Sequence, residues 1–358
     1  MNALARHLIA RIRTNGPITV ADYMAAVLTD PEHGYYMNRD PLGTRGDFIT
    51  APETSQMFGE LIGLWCAQTW RQMGAPRRAV LAELGPGRGT LMCDALRAAR
   101  IVPDFLAAIE LHLVETSPMM RGAQSRALAN FSPAWHALAS DLPAGPLLLV
   151  ANEFLDVLPI RQFVRAEDDW RERRVGVTED GERFVFVLDT ARSDHPLPAA
   201  ARAGAIQEVS PLALELAAWL GPRLARDGGA ALFIDYGHGT SAPGETLQSL
   251  RGHRRHDVLD DPGIADLTAH VDFAAFSRAA EAAGARALGP MGQGEFLLRL
   301  GIEARARRLL ASASERQAGA IEHGYRRLLD PAAMGSLFKV LALADPALPP
   351  LAGFETRA

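Results

Sequence analysis

Lysine is nearly absent from this chain of 358 residues: of its 37 basic residues only Lys339 is a lysine, and the rest are arginines. A P-loop requires Gly-Lys-[Ser/Thr], and Schiff-base catalysis requires a lysine in a pocket. Lys339 stands in "MGSLFKVLAL", which reads as an apolar helical pattern with neither context, so both chemistries are excluded. Cysteine is almost as scarce. Cys66 and Cys93 are far apart in predicted helices and form no CxxC, which argues against a disulfide framework or a cysteine zinc site and suits a reducing compartment. No apolar run approaches the roughly 18 residues of a membrane span, and "MNALARHLIARIRTNG" lacks a signal peptide's apolar core and cleavage site. A net charge of -5 supplies no positive field for a nucleic-acid backbone. The expectation is a soluble cytoplasmic protein, and the arginine-rich, alanine-rich usage reads as the codon bias of a GC-rich bacterial genome.

With 48% hydrophobic residues the chain can bury a large core. Residues 1–75 read as a helical cap interrupted by "DPEHGYYMNRDPLGTRGDF". From Val80 strands and helices alternate: "VLAEL", a helix over 90–100, "LHLVE", a helix over 117–128, a short strand near Trp135, then "PLLLVAN". That texture predicts a parallel, doubly wound sheet with right-handed crossovers. Residues 76–160 form the first half of this core. An antiparallel β insertion is expected over 161–205, and the second half of the core over 206–300, with "AALFIDYG", a helix over 272–283 and "GEFLLRLG" as the last strand. A helical tail is expected over 301–358.

"LAELGPGRGTL" sets Gly85, Pro86, Gly87 and Gly89 between a buried strand and a helix start, where glycines let the backbone approach a ligand. Thr90 stands where a dinucleotide fingerprint has its third glycine, which disfavours an NAD enzyme. The next strand ends at Glu115, either a ribose-binding acid or a carboxylate before the helix at Ser117. After the third strand come Asp141, suited to an adenine amino group or to plain turn chemistry, and Leu142. The fourth strand ends in Asn152-Glu153. Taken in order, these pieces have the layout of a class I S-adenosylmethionine (SAM) methyltransferase.

"GDFITAPETSQMFGE" is upstream of all this yet reads as a functional loop. Thr50 and Glu53 have capping-box spacing around Pro52, so a helix should begin here. Gly59 and Gly63 inside that helix each cost about 1 kcal/mol against alanine, so something must come close to it.

Together with "ELGPGRGTL", "NEFLDVLPIRQF", "DYGH" and "LTAHVDF", this stretch resembles the MidA-like SAM-dependent methyltransferases, over Asp22 to about Lys339. The resemblance implies a class I Rossmann-type methyltransferase fold with SAM as cofactor. For mitochondrial members it implies complex I assembly factors that methylate an arginine of a protein substrate, the 49-kDa-type subunit of NADH:ubiquinone oxidoreductase. Another SAM acceptor, or an assembly chaperone without catalysis, remains open on the residues alone.

Methyl transfer is an in-line displacement that needs positioning rather than a metal. An arginine acceptor is cationic below a pKa of about 12, so carboxylates that fork onto it would orient a terminal nitrogen. Glu153 and Asp156, three apart after strand four, either do this or cap a following helix. Asn152 either contacts the cofactor or holds an acceptor amine through its carbonyl oxygen. Tyr236 and His238 are expected to face the acceptor, since ligands bind beyond carboxyl strand ends; His238 either takes the proton or packs. The segment over 46–60 is expected to be a lid: Phe48 packs on cofactor or acceptor, the Thr50-Glu53 cap fixes the helix, and Asp47 is a third acid or a turn residue.

Overall fold

The computed structural model describes residues 1–38, 50–167 and 169–355. Contacts divide the chain into two units, each with its own apolar core. One comprises the described residues of Met1–Phe48, Asp156–Leu214 and Thr240–Asp272; the other comprises Ile49–Leu155, Glu215–Gly239 and Phe273–Ala358. This division cuts across the linear one expected from sequence, because the first helices go with the β insertion and the later "cap" helix goes with the core sheet.

The second unit is built on seven strands: β1 (Ala79–Leu84), β2 (Ile109–Val114), β3 (Ala134–His136), β4 (Leu147–Asn152), β5 (Gly229–His238), β6 (Arg286–Gly292) and β7 (Phe338–Ala344). Their order is β6-β7-β5-β4-β1-β2-β3. The run from β5 to β3 is parallel, and β7 is inserted antiparallel to both neighbours. Strand order reverses between β1 and β4, the switch point at which open α/β sheets bind ligands. Both faces of the sheet are covered. Leu148, Val150, Leu232 and Ile234 join a core with helix Gln56–Gln72, while Phe233 meets Phe276 of helix Phe273–Ala282 edge-on at 4.8 Å. Strands buried on both faces read as continuous apolar runs, as "LLLVAN" and "AALFID" do.

Helix Gln56–Gln72 explains its own glycines. A Cβ on Gly59 would stand 2.7 Å from Asp94 Cβ, and one on Gly63 would stand 2.6 Å from the backbone carbon of Ala95. Bare backbone is what lets this helix lie against helix Thr90–Ala99. The cap differs from the expected one. Thr50 precedes the short helix Ala51–Thr54 but its hydroxyl makes no capping bond; the chain breaks at Ser55, whose Oγ accepts from Met57 N at 3.3 Å and starts the long helix.

Three further expectations are corrected. "GEFLLRLG" is no strand: Gln293–Arg299 is a helix, with Phe296 and Leu297 buried and Glu295 paired to Arg299 one turn on. The strand before it is Arg286–Gly292, disguised by two glycines and a proline. The tail is not wholly helical, since "FKVLALA" around Lys339 is β7, paired to β5 from Tyr236↔Phe338 to Ala230↔Ala344. Leu and Ala carry no β-branch, and a buried strand of that composition has the same texture as a buried helix. Finally, no helix follows β4: residues 153–160 are turn and irregular chain.

In the first unit, Arg161–Arg165, Trp170–Val177 and Phe184–Leu188 form the antiparallel insertion expected over 161–205; Ile206–Val209, just beyond those bounds, and Ile18–Thr19 join the same sheet. The same unit holds a small antiparallel sheet of Gln248–Arg251, Arg254–His256 and Asp266–Thr268. Among the described residues, no helix is long and apolar enough to cross a membrane.

Candidate functional site

The glycine loop turns sharply from β1 into helix Thr90–Ala99, with Gly85, Gly87 and Gly89 all left-handed at φ +60°, +53° and +82°. Only glycine takes such dihedrals without cost. Gly85 N–H donates to Val114 O at 3.0 Å and Gly89 N–H to Pro86 O at 2.7 Å, which closes the loop over the end of β1. Phe154 covers Gly85 so closely that a Cβ there would stand 2.9 Å from its ring.

Glu115 is at the tip of β2, as expected. Its carboxylate accepts from Ser117 N–H at 2.8 Å and from Gln124 Nε2 at 3.1 Å. Burial raises its pKa, and those bonds only partly oppose the rise. Gln124 is fully buried and had no role in the sequence reading. Its amide also donates to Gly87 O at 2.8 Å, and its Oε1 accepts from Trp135 Nε1 at 2.8 Å, so one side chain ties the glycine loop, the β2 acid and β3 together. A polar residue on the inner face of "PMMRGAQSRA" was the available sign of it.

Glu83 was missed as well. It is 3% exposed within β1, two residues before Gly85, and its Oε2 has no hydrogen-bond partner among the described residues. Burial pushes its carboxyl up to about 8. An acid inside the apolar run "VLAEL" was the telltale.

Glu53 serves the glycine loop rather than a helix cap: it accepts from Thr90 Oγ1 at 2.5 Å and pairs with Arg88 at 3.5 Å. Nearby, Glu153 adopts φ +51°, which costs an L-residue with a Cβ about 1–2 kcal/mol. Its Oε1 accepts from Ala51 N–H at 3.2 Å and Asn152 Nδ2 at 3.1 Å. The Asn152 Oδ1 is buried without a partner among the described residues. Asn152, Glu153 and the Thr50–Glu53 segment are therefore brought together.

The other expected residues have these surroundings. Asp156 belongs to the first unit, where its carbonyl accepts from Ala269 N–H at 2.9 Å; its carboxylate and that of Asp266 add to the burial that raises the Tyr36 hydroxyl. No helix follows β4 for Glu153 and Asp156 to cap; both stand in the turn and irregular chain after it. Asp141 is exposed in a 3-10 turn and accepts from Leu138 N–H at 3.0 Å. Leu142 is buried, with its carbonyl bonded to Arg223 at 3.2 Å. Tyr236 packs edge-on to Phe338 at 5.5 Å, and His238 ends β5. Asp47 and Phe48 lie outside the described residues.

Residues 61–291 match the family described as "Putative S-adenosyl-L-methionine-dependent methyltransferase". The chain is 38% identical to a Xenopus tropicalis protein named protein arginine methyltransferase NDUFAF7, mitochondrial, covering 99% of this chain and 90% of that one. A Drosophila melanogaster homologue of the same name is 40% identical, covering 95% and 84%. Among solved structures, a COG1565 superfamily member from Burkholderia thailandensis bound to S-adenosyl-homocysteine superposes with a TM-score of 0.85 at 30% identity, covering 99% of this chain and 93% of the other.

The chain belongs to this SAM-dependent methyltransferase family. SAM is its cofactor, and the residues present suit it. The three left-handed glycines bring bare backbone to the end of β1, the buried Glu83 carboxyl has an unpartnered Oε2 that can accept from an amine, and Glu115 is an acceptor for hydroxyls at the tip of β2. Bound SAM supplies an electrophilic methyl on a sulfonium, and everything else in the reaction falls to the chain's own residues.

Proposed function

We propose that this methyltransferase acts on the guanidinium of an arginine in a protein, and that the acceptor is a subunit of NADH:ubiquinone oxidoreductase (complex I), of the 49-kDa type. The observation that carries the reading is the pairing of Asn152 and Glu153 at the end of β4: a buried carbonyl oxygen without a partner, next to a carboxylate held in a disfavoured backbone conformation. Strain of this kind collects at working sites. The names of the relatives support the same acceptor chemistry.

A guanidinium has five N–H donors and no lone pair to spare, so the enzyme must hold it and localise its charge. Glu153 accepts from the guanidinium and draws positive charge toward the nitrogens it binds, leaving the remaining terminal nitrogen as the nucleophile. Asn152 Oδ1 accepts one N–H and sets the approach angle. As the new N–C bond forms and the C–S bond breaks, the attacked nitrogen must lose a proton. His238, three residues beyond Asp235 on the adjacent strand, is the base we assign to it. Glu53 keeps the segment before the long helix against the glycine loop.

The test is incubation of the purified chain with tritiated SAM and the 49-kDa-type subunit, followed by acid hydrolysis and amino-acid analysis. Label in methylated arginine is the expected result. Label confined to another residue or to small molecules overturns the assignment and favours a second reading, another amine acceptor held by Asn152 Oδ1.

A further inference from the structure

We propose that Asp235 is a positioning residue for methyl transfer: it clamps the turn after β4 and so holds Glu153 in the left-handed conformation from which its carboxylate works. This rests on the reading of Glu153 given above. β4 and β5 are parallel neighbours with Ile234 opposite Asn152, and Ile234 O accepts from Glu153 N–H at 2.9 Å. The next residue on β5 is Asp235, 1% exposed. Its Oδ2 accepts from Phe154 N–H at 3.1 Å and from Leu155 N–H at 2.9 Å, while Oδ1 accepts from Tyr236 N–H at 2.9 Å.

The physical need for such a group is specific. Where a strand runs into a helix, the helix orders the backbone that follows; here no helix follows, and the N–H groups of 154 and 155 would be left unsatisfied beneath the sheet edge. A carboxylate meets all three donors with two acceptor oxygens, whereas an amide has only one oxygen and presents its NH2 to the third. Together with the Glu153 N–H to Ile234 O bond, these bonds fix the two peptides that flank Glu153, and with them its φ of +51°. Glycine would adopt that dihedral unaided, so a glutamate there shows that the side chain is needed enough for a neighbour to hold it. Release of the clamp lets the turn relax toward φ below zero and swings the Glu153 carboxylate away from Ala51 N–H and Asn152 Nδ2.

The experiment uses the full chain in six forms: wild type, Asp235→Asn, Glu153→Gln, Glu153→Gly, and each of the two Glu153 changes combined with Asp235→Asn. Methyl transfer to the protein acceptor, S-adenosylhomocysteine binding and Tm are measured on each. We expect D235N to lower kcat on the order of a hundredfold, as misplacement of an orienting group does, with affinity for S-adenosylhomocysteine kept. D235N/E153Q should be no slower than E153Q, since both act through one carboxylate. Glycine at 153 removes the strain the clamp opposes, so D235N should lower Tm clearly less in the E153G background than in the wild type. A D235N enzyme at wild-type kcat while E153Q is inactive overturns the inference, as does an equal Tm loss in both backgrounds. Should D235N alone not fold, folding of D235N/E153G supports the clamp and its failure overturns it. An E153Q enzyme with wild-type turnover overturns the underlying reading of Glu153 instead, and the Tm comparison still decides the clamp.

Discussion

The buried amide of Gln124 donates to the carbonyl of Gly87 at 2.8 Å, so the glycine loop is anchored by a side chain 37 residues further along the chain. Local dihedrals shape such a loop, but they do not keep it in place against the rest of the sheet. Gln124 does so while also holding Glu115 and Trp135.

Replacing Gln124 by alanine leaves Trp135 Nε1 and one Glu115 oxygen without their partner. A buried group stripped of its hydrogen bond costs about 1–3 kcal/mol, so stability should fall by about that much. Affinity for S-adenosylhomocysteine should weaken by about tenfold, equivalent to roughly 1.4 kcal/mol. Calorimetric titration reads the second effect; an unchanged Kd would show that the strut is not needed for binding.

Gly63→Ala tests the close approach of helices Gln56–Gln72 and Thr90–Ala99. Helix propensity alone predicts a gain of about 1 kcal/mol. The new methyl would overlap the backbone of Ala95, which cannot move as a side-chain tip can, and overpacking of this kind costs about 1–3 kcal/mol. Net destabilisation is therefore expected in chemical denaturation, and a variant more stable than the wild type would refute the packing argument.

Glu83 makes stability fall with rising pH. Its folded carboxyl titrates near 8 because burial disfavours the charge, against an ordinary value of 4.5. Between those values the unfolded chain has lost a proton that the folded chain keeps, so each step up in pH favours unfolding, and the penalty levels off above about 8. Glu83→Gln should remove this slope in the ligand-free protein and raise its stability at pH 8 by at least about 1.4 kcal/mol, the equivalent of one pKa unit. Tm measured across pH 5–9 checks it, and parallel curves for the two proteins would count against the shift.

Glu53→Gln weakens the link to Thr90 and Arg88. Glu53 is largely sheltered, so the charge-assisted bonds lost are worth about 1.5–3 kcal/mol, and affinity for S-adenosylhomocysteine should drop by roughly tenfold or more. Glu53 in a mere capping role predicts instead a small loss of stability with binding intact.

The legible parts of the site were those whose causes are local. "ELGPGRGTL" announces its own turn, since three glycines between a buried strand and a helix leave few conformations open, and Glu115 and Asn152-Glu153 follow from where parallel strands end. Residues that act across long separations were not legible. Gln124 and Asp235 are ordinary polar residues in sequence, and their roles appear only when Gly87 and Phe154 are brought to them. The Thr50-Glu53 spacing was misleading for the same reason: a capping box is a local motif, and the tertiary pull of Thr90 on Glu53 outweighed it.

The alternation of apolar strands and amphipathic helices from Val80 onward determined by itself that a parallel sheet covered by helices would form, because strands apolar on both faces need a layer on each side. Which segment supplied the antiparallel strand was decided by the tertiary structure alone. "GEFLLRLG" and "FKVLALA" are both short leucine-bearing runs, and it is the second that pairs along β5 while the first is a helix. The same assembly put Asp235 beneath the turn that carries Glu153, a juxtaposition across 80 residues that no local pattern encodes.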